Sequence, residues 1–180
     1  MKKRKVFLVA TLGYPGSGKT YFSERFAKNH SFFHLNSDII RLTMFPEPTY
    51  NPFESGVVFR MMDFLAGAFL SSGVSVIYDA NSTLRIYRKR LQQIAKKRGA
   101  CYLLLRFKTP LPVALKRLKK RRALKSESKK RYYRPIDDKV LFDIKGEMEE
   151  PRNEHFIIVD GESPYQETEK MVLKELKEFS

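Results

Sequence analysis

Residues 13–20 read GYPGSGKT and satisfy the pattern G-x-x-x-x-G-K-[ST]. Glycines at 13, 16 and 18 free successive backbone N–H groups to point at one centre, and a helix beginning beside Lys19 adds its positive end. The result is an anion cradle. The Lys19 ammonium suits the β and γ oxygens of a triphosphate, the Thr20 hydroxyl suits Mg²⁺, and Pro15 and Ser17 complete the phosphate-binding turn. The competing reading is a glycine turn that binds nothing. A chance match in a chain of this size has odds of about one in a few hundred, and a flanking strand and helix make it rarer, so the cradle is the expectation.

Transfer of a phosphoryl group to a hydroxyl needs a proton acceptor in line with the γ phosphate. Asp38 is the candidate, in LNSDIIR at residues 35–41, with Arg41 one helical turn further on the same face. Ser37 and Asp38 are equally good helix caps, and both readings stand at this stage. Asp79 ends an apolar run at 74–78 and is a second acid for the same site, directly or through a Mg²⁺-bound water. Asn81 follows it and, with Ser82, can cap the next helix.

The elements that must position these groups follow from hydrophobic period and turn residues. Strands are expected at 6–11, 32–35, 74–78, 101–107 and 155–159. Helices are expected at 19–28, 38–44, 57–69, 84–98, 113–123, 136–149 and 165–179, with a proline-rich loop at 46–52 and a mobile basic stretch at 124–134. Such alternation predicts an α/β fold, with a parallel sheet of about five strands and helices on both faces. Ligands of such sheets bind at the carboxyl ends of the strands, where the glycine loop, Asp38 and Asp79 all fall.

One domain over residues 1–180 fits the length. Cys101 is the only cysteine, which leaves no intrachain disulfide partner, and its apolar neighbours predict a buried strand position; a reducing, cytoplasmic setting is expected. MKKRK followed by VFLVA runs into the glycines and reads as a first strand rather than a signal peptide, and no apolar run is long enough for a membrane. His30, His34 and His155 lack metal-site spacing. The formal charge is +15, and residues 84–134 hold 20 of the 35 Lys and Arg against one acid, Glu127. That band suits single-stranded nucleic acid or nucleotide phosphates; a solvated helix face accounts for it equally.

In order and spacing, GYPGSGKT, SDIIR at 37–41, YDAN at 78–81 and RLKKR at 117–121 resemble the P-loop kinase family that includes phage-type polynucleotide kinases and zeta-toxin-like kinases. The resemblance implies ATP and Mg²⁺, with Asp38 as general base and Arg41 engaging the acceptor or its phosphate. Asp79 and Asn81 would contact the acceptor, and Arg85 joins that group. Arg117 and Arg121, in a lid at about 117–135, would close over ATP and stabilise the transferring phosphoryl, Arg121 matching better. The chain departs from the pattern in the basic insertion after Arg122, where Tyr132 or Tyr133 could stack on a base, unless it is an ordinary lid. The expectation is an ATP-dependent kinase, with a polynucleotide or nucleoside 5′-hydroxyl as first acceptor. A small sugar or antibiotic, and a nucleic-acid-binding ATPase without an acceptor, are the alternatives.

Overall fold

The computed structural model describes residues 5–125 and 136–179. Five strands, β1 (Phe7–Leu12), β2 (Phe33–Asn36), β3 (Val76–Asp79), β4 (Cys101–Lys108) and β5 (Phe156–Asp160), form one sheet in the order β2-β3-β1-β4-β5. Every pairing is parallel. Helices α1 (Lys19–His30), α2 (Ser37–Met44), α3 (Pro52–Ser71), α4 (Arg85–Lys97), α5 (Leu111–Lys125), α6 (Asp138–Glu147) and α7 (Tyr165–Glu178) connect and flank it.

Side chains alternate across β1. Leu8, Ala10 and Leu12 pack with Val58, Met62 and Leu70 of α3 and Leu91 of α4, whereas Val9 faces Phe22 and Phe26 of α1 and Val172 of α7. A slip of one residue would exchange the two faces, so burial on both sides pins the register. Because β1 lies between β3 and β4, the chain leaves it in both directions, and its carboxyl end is the crevice where such folds bind ligands.

The parallel α/β architecture agrees with expectation, and three details differ. α3 begins at Pro52, inside the expected loop: the Asn51 side chain accepts from the Glu54 N–H, and proline tolerates the first turn, where its missing N–H has no partner to lose. Cys101 opens β4 half-buried rather than buried. α5 runs to Lys125, so the stretch expected to be mobile begins as helix; the rest of it, with Tyr132 and Tyr133, lies outside the described residues.

Five arginines of the basic band are paired with acids among the described residues. Arg85, Arg88, Arg90, Arg106 and Arg122 pair with Glu149, Glu154, Asp63, Glu150 and Asp138. Arg88 is fully buried: Nε donates to Glu154 at 2.8 Å, Nη1 to the Ser82 and Thr83 carbonyls at 2.9 Å each, and Nη2 to the Glu149 carbonyl at 3.0 Å. It ties the loop after β3 to the segment after α6. Among the described residues no helix is long and apolar enough to cross a membrane.

Candidate active site

The glycine loop leaves β1 and enters α1 as its pattern requires. Gly16 has φ +82°, and a Cβ there would meet the Ala114 carbonyl oxygen at 2.7 Å, so the turn needs glycine for its dihedral and for its contact with α5. Lys19 is buried, and its Nζ donates to the Gly13 carbonyl at 2.7 Å and the Tyr14 carbonyl at 3.2 Å. Burial lowers its pKa to about 8, against the opposing pull of Asp79 and Asp38. The Ser17 hydroxyl is buried with no hydrogen-bond partner, a polar atom left over inside the cradle.

Arg117 braces the loop, donating from Nη1 to the Gly16 carbonyl at 3.3 Å and from Nη2 to the Gly161 carbonyl at 2.8 Å. Gly161 is a position the sequence did not announce. A Cβ on it would meet Thr109 Oγ1 at 1.9 Å and the Ser17 carbonyl oxygen at 2.5 Å. Gly161→Ala is therefore expected to push β5 off the loop and cost roughly 1–3 kcal/mol, read as a lowered Tm. An unchanged Tm would show that this contact is not tight.

Asp38 keeps its carboxylate free of capping duty, because Asn36 caps α2: its Oδ1 accepts from the Asp38 and Ile39 N–H groups, each at 3.0 Å. This removes the capping alternative for Asp38. The Asn36 Nδ2 meanwhile donates to Asp79 Oδ2 at 2.7 Å, and His34 Nε2 lies 2.9 Å from the same oxygen. Burial raises the Asp38 pKa, and the neighbouring Asp79 raises it further. Burial also acts to raise Asp79, but the hydrogen bond and charge of His34, with Lys19 and Asn36, hold it below its ordinary value. Two acids in one site are thus pushed apart, one toward proton acceptance and one toward a fixed charge.

Arg41 lines the same cleft but is already committed. Nη1 pairs with Glu54, Nη2 donates to Ser55 Oγ at 3.3 Å, and the guanidinium lies 4.6 Å from the Tyr50 ring centroid. Its Nε is buried without a partner. Burial would raise the Glu54 pKa, yet hydrogen bonds from Arg41, Thr49 and Tyr50 bring it down to about 2. Asn81 is exposed on the cleft wall and does not cap α4, which starts instead with the Arg85 N–H bound to Glu149 Oε2 at 2.5 Å. The Arg85 guanidinium faces Glu149 at 3.4 Å and is not on that wall.

A cleft of about 440 Å³ brings together Pro15 to Thr20, Asp38, Arg41, Asp79, Asn81, Arg117 and Arg121. Arg121 lies near enough to Lys19 and Asp38 to lower both pKa values. A second, adjoining cavity of about 430 Å³ shares Gly18, Tyr21 and Arg117 with the first and is walled by Phe107, Asp160, Gly161 and Tyr165. Sequence reasoning missed it, and it missed Tyr50, Phe59 and Tyr87 on the first cleft. The signals were an Asp-Gly pair after β5 and aromatics breaking the polar face of two helices.

The residues fit a nucleotide with a divalent cation. Thr20 offers a hydroxyl, and Asp38 and Asp79 offer carboxylates, on the wall beside the cradle. Among the described residues no cluster of three or more His, Cys, Asp or Glu that could hold a metal ion is present.

A parallel sheet of this order, with the glycine loop after its central strand and acids at neighbouring strand ends, defines the P-loop NTPase fold. The chain belongs to the AAA domain family, whose model matches residues 8–151. No curated protein sequence matches significantly. Among solved structures, a putative kinase from Chloroflexus aurantiacus is similar at TM-score 0.73 and 18% identity, covering 95% of this chain and 98% of its own. The APS kinase of Mycobacterium tuberculosis, solved with AMPPNP and APS, is similar at TM-score 0.68 and 18% identity over 96% of this chain and 98% of its own. A gluconokinase from Sinorhizobium meliloti gives TM-score 0.67 and 18% identity over 99% and 95%.

Proposed function

We propose that the protein is an ATP-dependent phosphotransferase that moves the γ phosphate to an acceptor hydroxyl. The observation that carries this is Asp38: an uncapped, pKa-raised carboxylate on the wall of the cleft that holds the glycine loop and Lys19. The similarity to the solved kinase structures supports it.

The roles follow from position. Backbone N–H groups of residues 16–20 bind the phosphate chain, and Lys19 exchanges its two carbonyl contacts for the β and γ oxygens. Mg²⁺, held by the Thr20 hydroxyl with Asp38 or Asp79 through water, would neutralise developing phosphate charge. Asp38 takes the proton as the acceptor oxygen attacks, while Asp79, fixed by His34 and Asn36, stays ionised. Arg117 and Arg121 line the same cleft and would neutralise charge on the transferring group. The adjoining cavity, with Tyr21, Tyr165 and Asp160, is where the donor base fits.

A polynucleotide or nucleoside 5′-hydroxyl remains a candidate acceptor. The similarity to solved structures of a gluconokinase and an APS kinase brings small alcohols forward beside it. Incubation with γ-labelled ATP and a panel of 5′-hydroxyl oligomers, nucleosides and small alcohols decides among these. Label on an alcohol is expected; label only on free phosphate would mean an ATPase without an acceptor.

Lys19 also sets a pH dependence. Its ammonium is lost as pH rises through about 8, so AMPPNP affinity is expected to fall about tenfold between roughly pH 7 and pH 9. Lys19→Met should flatten that profile in a binding titration. Because the folded pKa lies below the unfolded one, the unfolded chain binds more protons between the two. The empty protein therefore gains stability as pH rises through that window.

A further inference from the structure

We propose that the acceptor is a ring-bearing alcohol with no negative charge on its docked portion, held against Tyr87 and Phe59. This rests on the phosphotransferase reading and deepens it. The cations of the cleft are not at the acceptor's disposal. Lys19 and Arg117 bind carbonyls of the glycine loop, Arg121 acts electrostatically on Lys19 and Asp38, and Arg41 is neutralised by the buried carboxylate of Glu54. Glu54 is itself fixed by the Thr49 N–H at 2.7 Å, the Thr49 hydroxyl at 2.9 Å and the Tyr50 N–H at 3.2 Å, so the pair is a sealed unit rather than an anion receptor.

What remains on that wall is aromatic and acidic. Phe59 of α3 and Tyr87 of α4 stack across the two helices, with ring centroids 6.0 Å apart and planes 17° apart, and both line the cleft. Tyr50 joins them from a left-handed backbone conformation, φ +59°, unusual for a bulky residue and held by its N–H bonds to Glu54 and its ring contact with Arg41. Glu147 adds an exposed carboxylate to the lining of the same cleft as Asp38 and Asp79. Aromatic faces bind rings, and carboxylates repel anions, so an acidic acceptor is disfavoured on electrostatic grounds.

The test uses matched alcohols: a nucleoside with its 3′-monophosphate, and an aldose with its aldonic acid. Binding to the protein carrying Mg²⁺ and AMPPNP is measured by calorimetry, and transfer from γ-labelled ATP is measured separately. The neutral member of a pair is expected to bind at least about tenfold more tightly. Tyr87→Ala, at a half-exposed position, should weaken that binding about tenfold or more with AMPPNP affinity unchanged, and Tyr87→Phe should restore it. The inference is overturned if anionic members bind as well as or better than neutral ones, if no neutral member binds, or if Tyr87→Ala leaves acceptor affinity unchanged. Neutral members that bind without ever accepting label would overturn the phosphotransferase reading instead, leaving the docking surface in place.

Discussion

Lys19→Ala is expected to lower kcat/KM for phosphoryl transfer by about 10³-fold, the scale on which a preorganised charge at a transferring phosphate acts. The lysine already reaches the loop centre, where its Nζ rests on the Gly13 and Tyr14 carbonyls. Removing it takes away the ammonium at the loop centre, a position that Arg117, held by the Gly16 and Gly161 carbonyls, does not fill. Lys19→Arg should not rescue, since a planar guanidinium does not fit a point-charge position. The variant should not lose stability for electrostatic reasons: desolvation disfavours the buried ammonium, as its lowered pKa shows, so its loss removes a cost. A steady-state assay beside thermal unfolding separates the two effects. Activity within tenfold of the unaltered protein would remove Lys19 from the mechanism.

Asp38→Asn is expected to lower kcat by about 10²- to 10⁴-fold, with nucleotide KM nearly unchanged. The amide keeps the shape but cannot take the proton, and α2 stays capped because Asn36 performs that task. The pH profile adds an independent reading. Asp38 must be ionised to act, so activity falls as pH drops through its raised pKa, and the acid limb should lie above the ordinary carboxylate range. Since repulsion from Asp79 contributes to that elevation, Asp79→Asn should move the limb downward. An acid limb insensitive to that change, or full activity in Asp38→Asn, would reassign the base.

The sheet and the glycine loop could be read from the chain because each rests on a local rule. Apolar runs such as Leu8-Val9-Ala10 have few other uses than a strand buried on both faces, and GYPGSGKT specifies its own backbone. Properties that depend on distant partners were harder. Asp38 was an ambiguous cap until Asn36, two residues earlier, was seen to hold the helix start. Five arginines of the charge band pair with Asp63, Asp138, Glu149, Glu150 and Glu154, acids that lie outside it in sequence, so their pairing is not legible in the band's composition. Gly161 and Tyr87 belong to no motif. Their roles arise from the approach of β5 to the loop and of α4 to α3, which no spacing along the chain encodes.

Asn36 joins helix and acid through one planar group: its oxygen serves the start of α2, and its nitrogen serves Asp79. The two ends of the amide are not interchangeable, so its orientation is dictated by what lies on each side. Asn36→Asp, which replaces that nitrogen by oxygen and alters almost nothing in shape, would preserve the helix start while setting carboxylate against carboxylate at the strand end. A change of one atom there would act on the charge balance of the site before it acted on the fold.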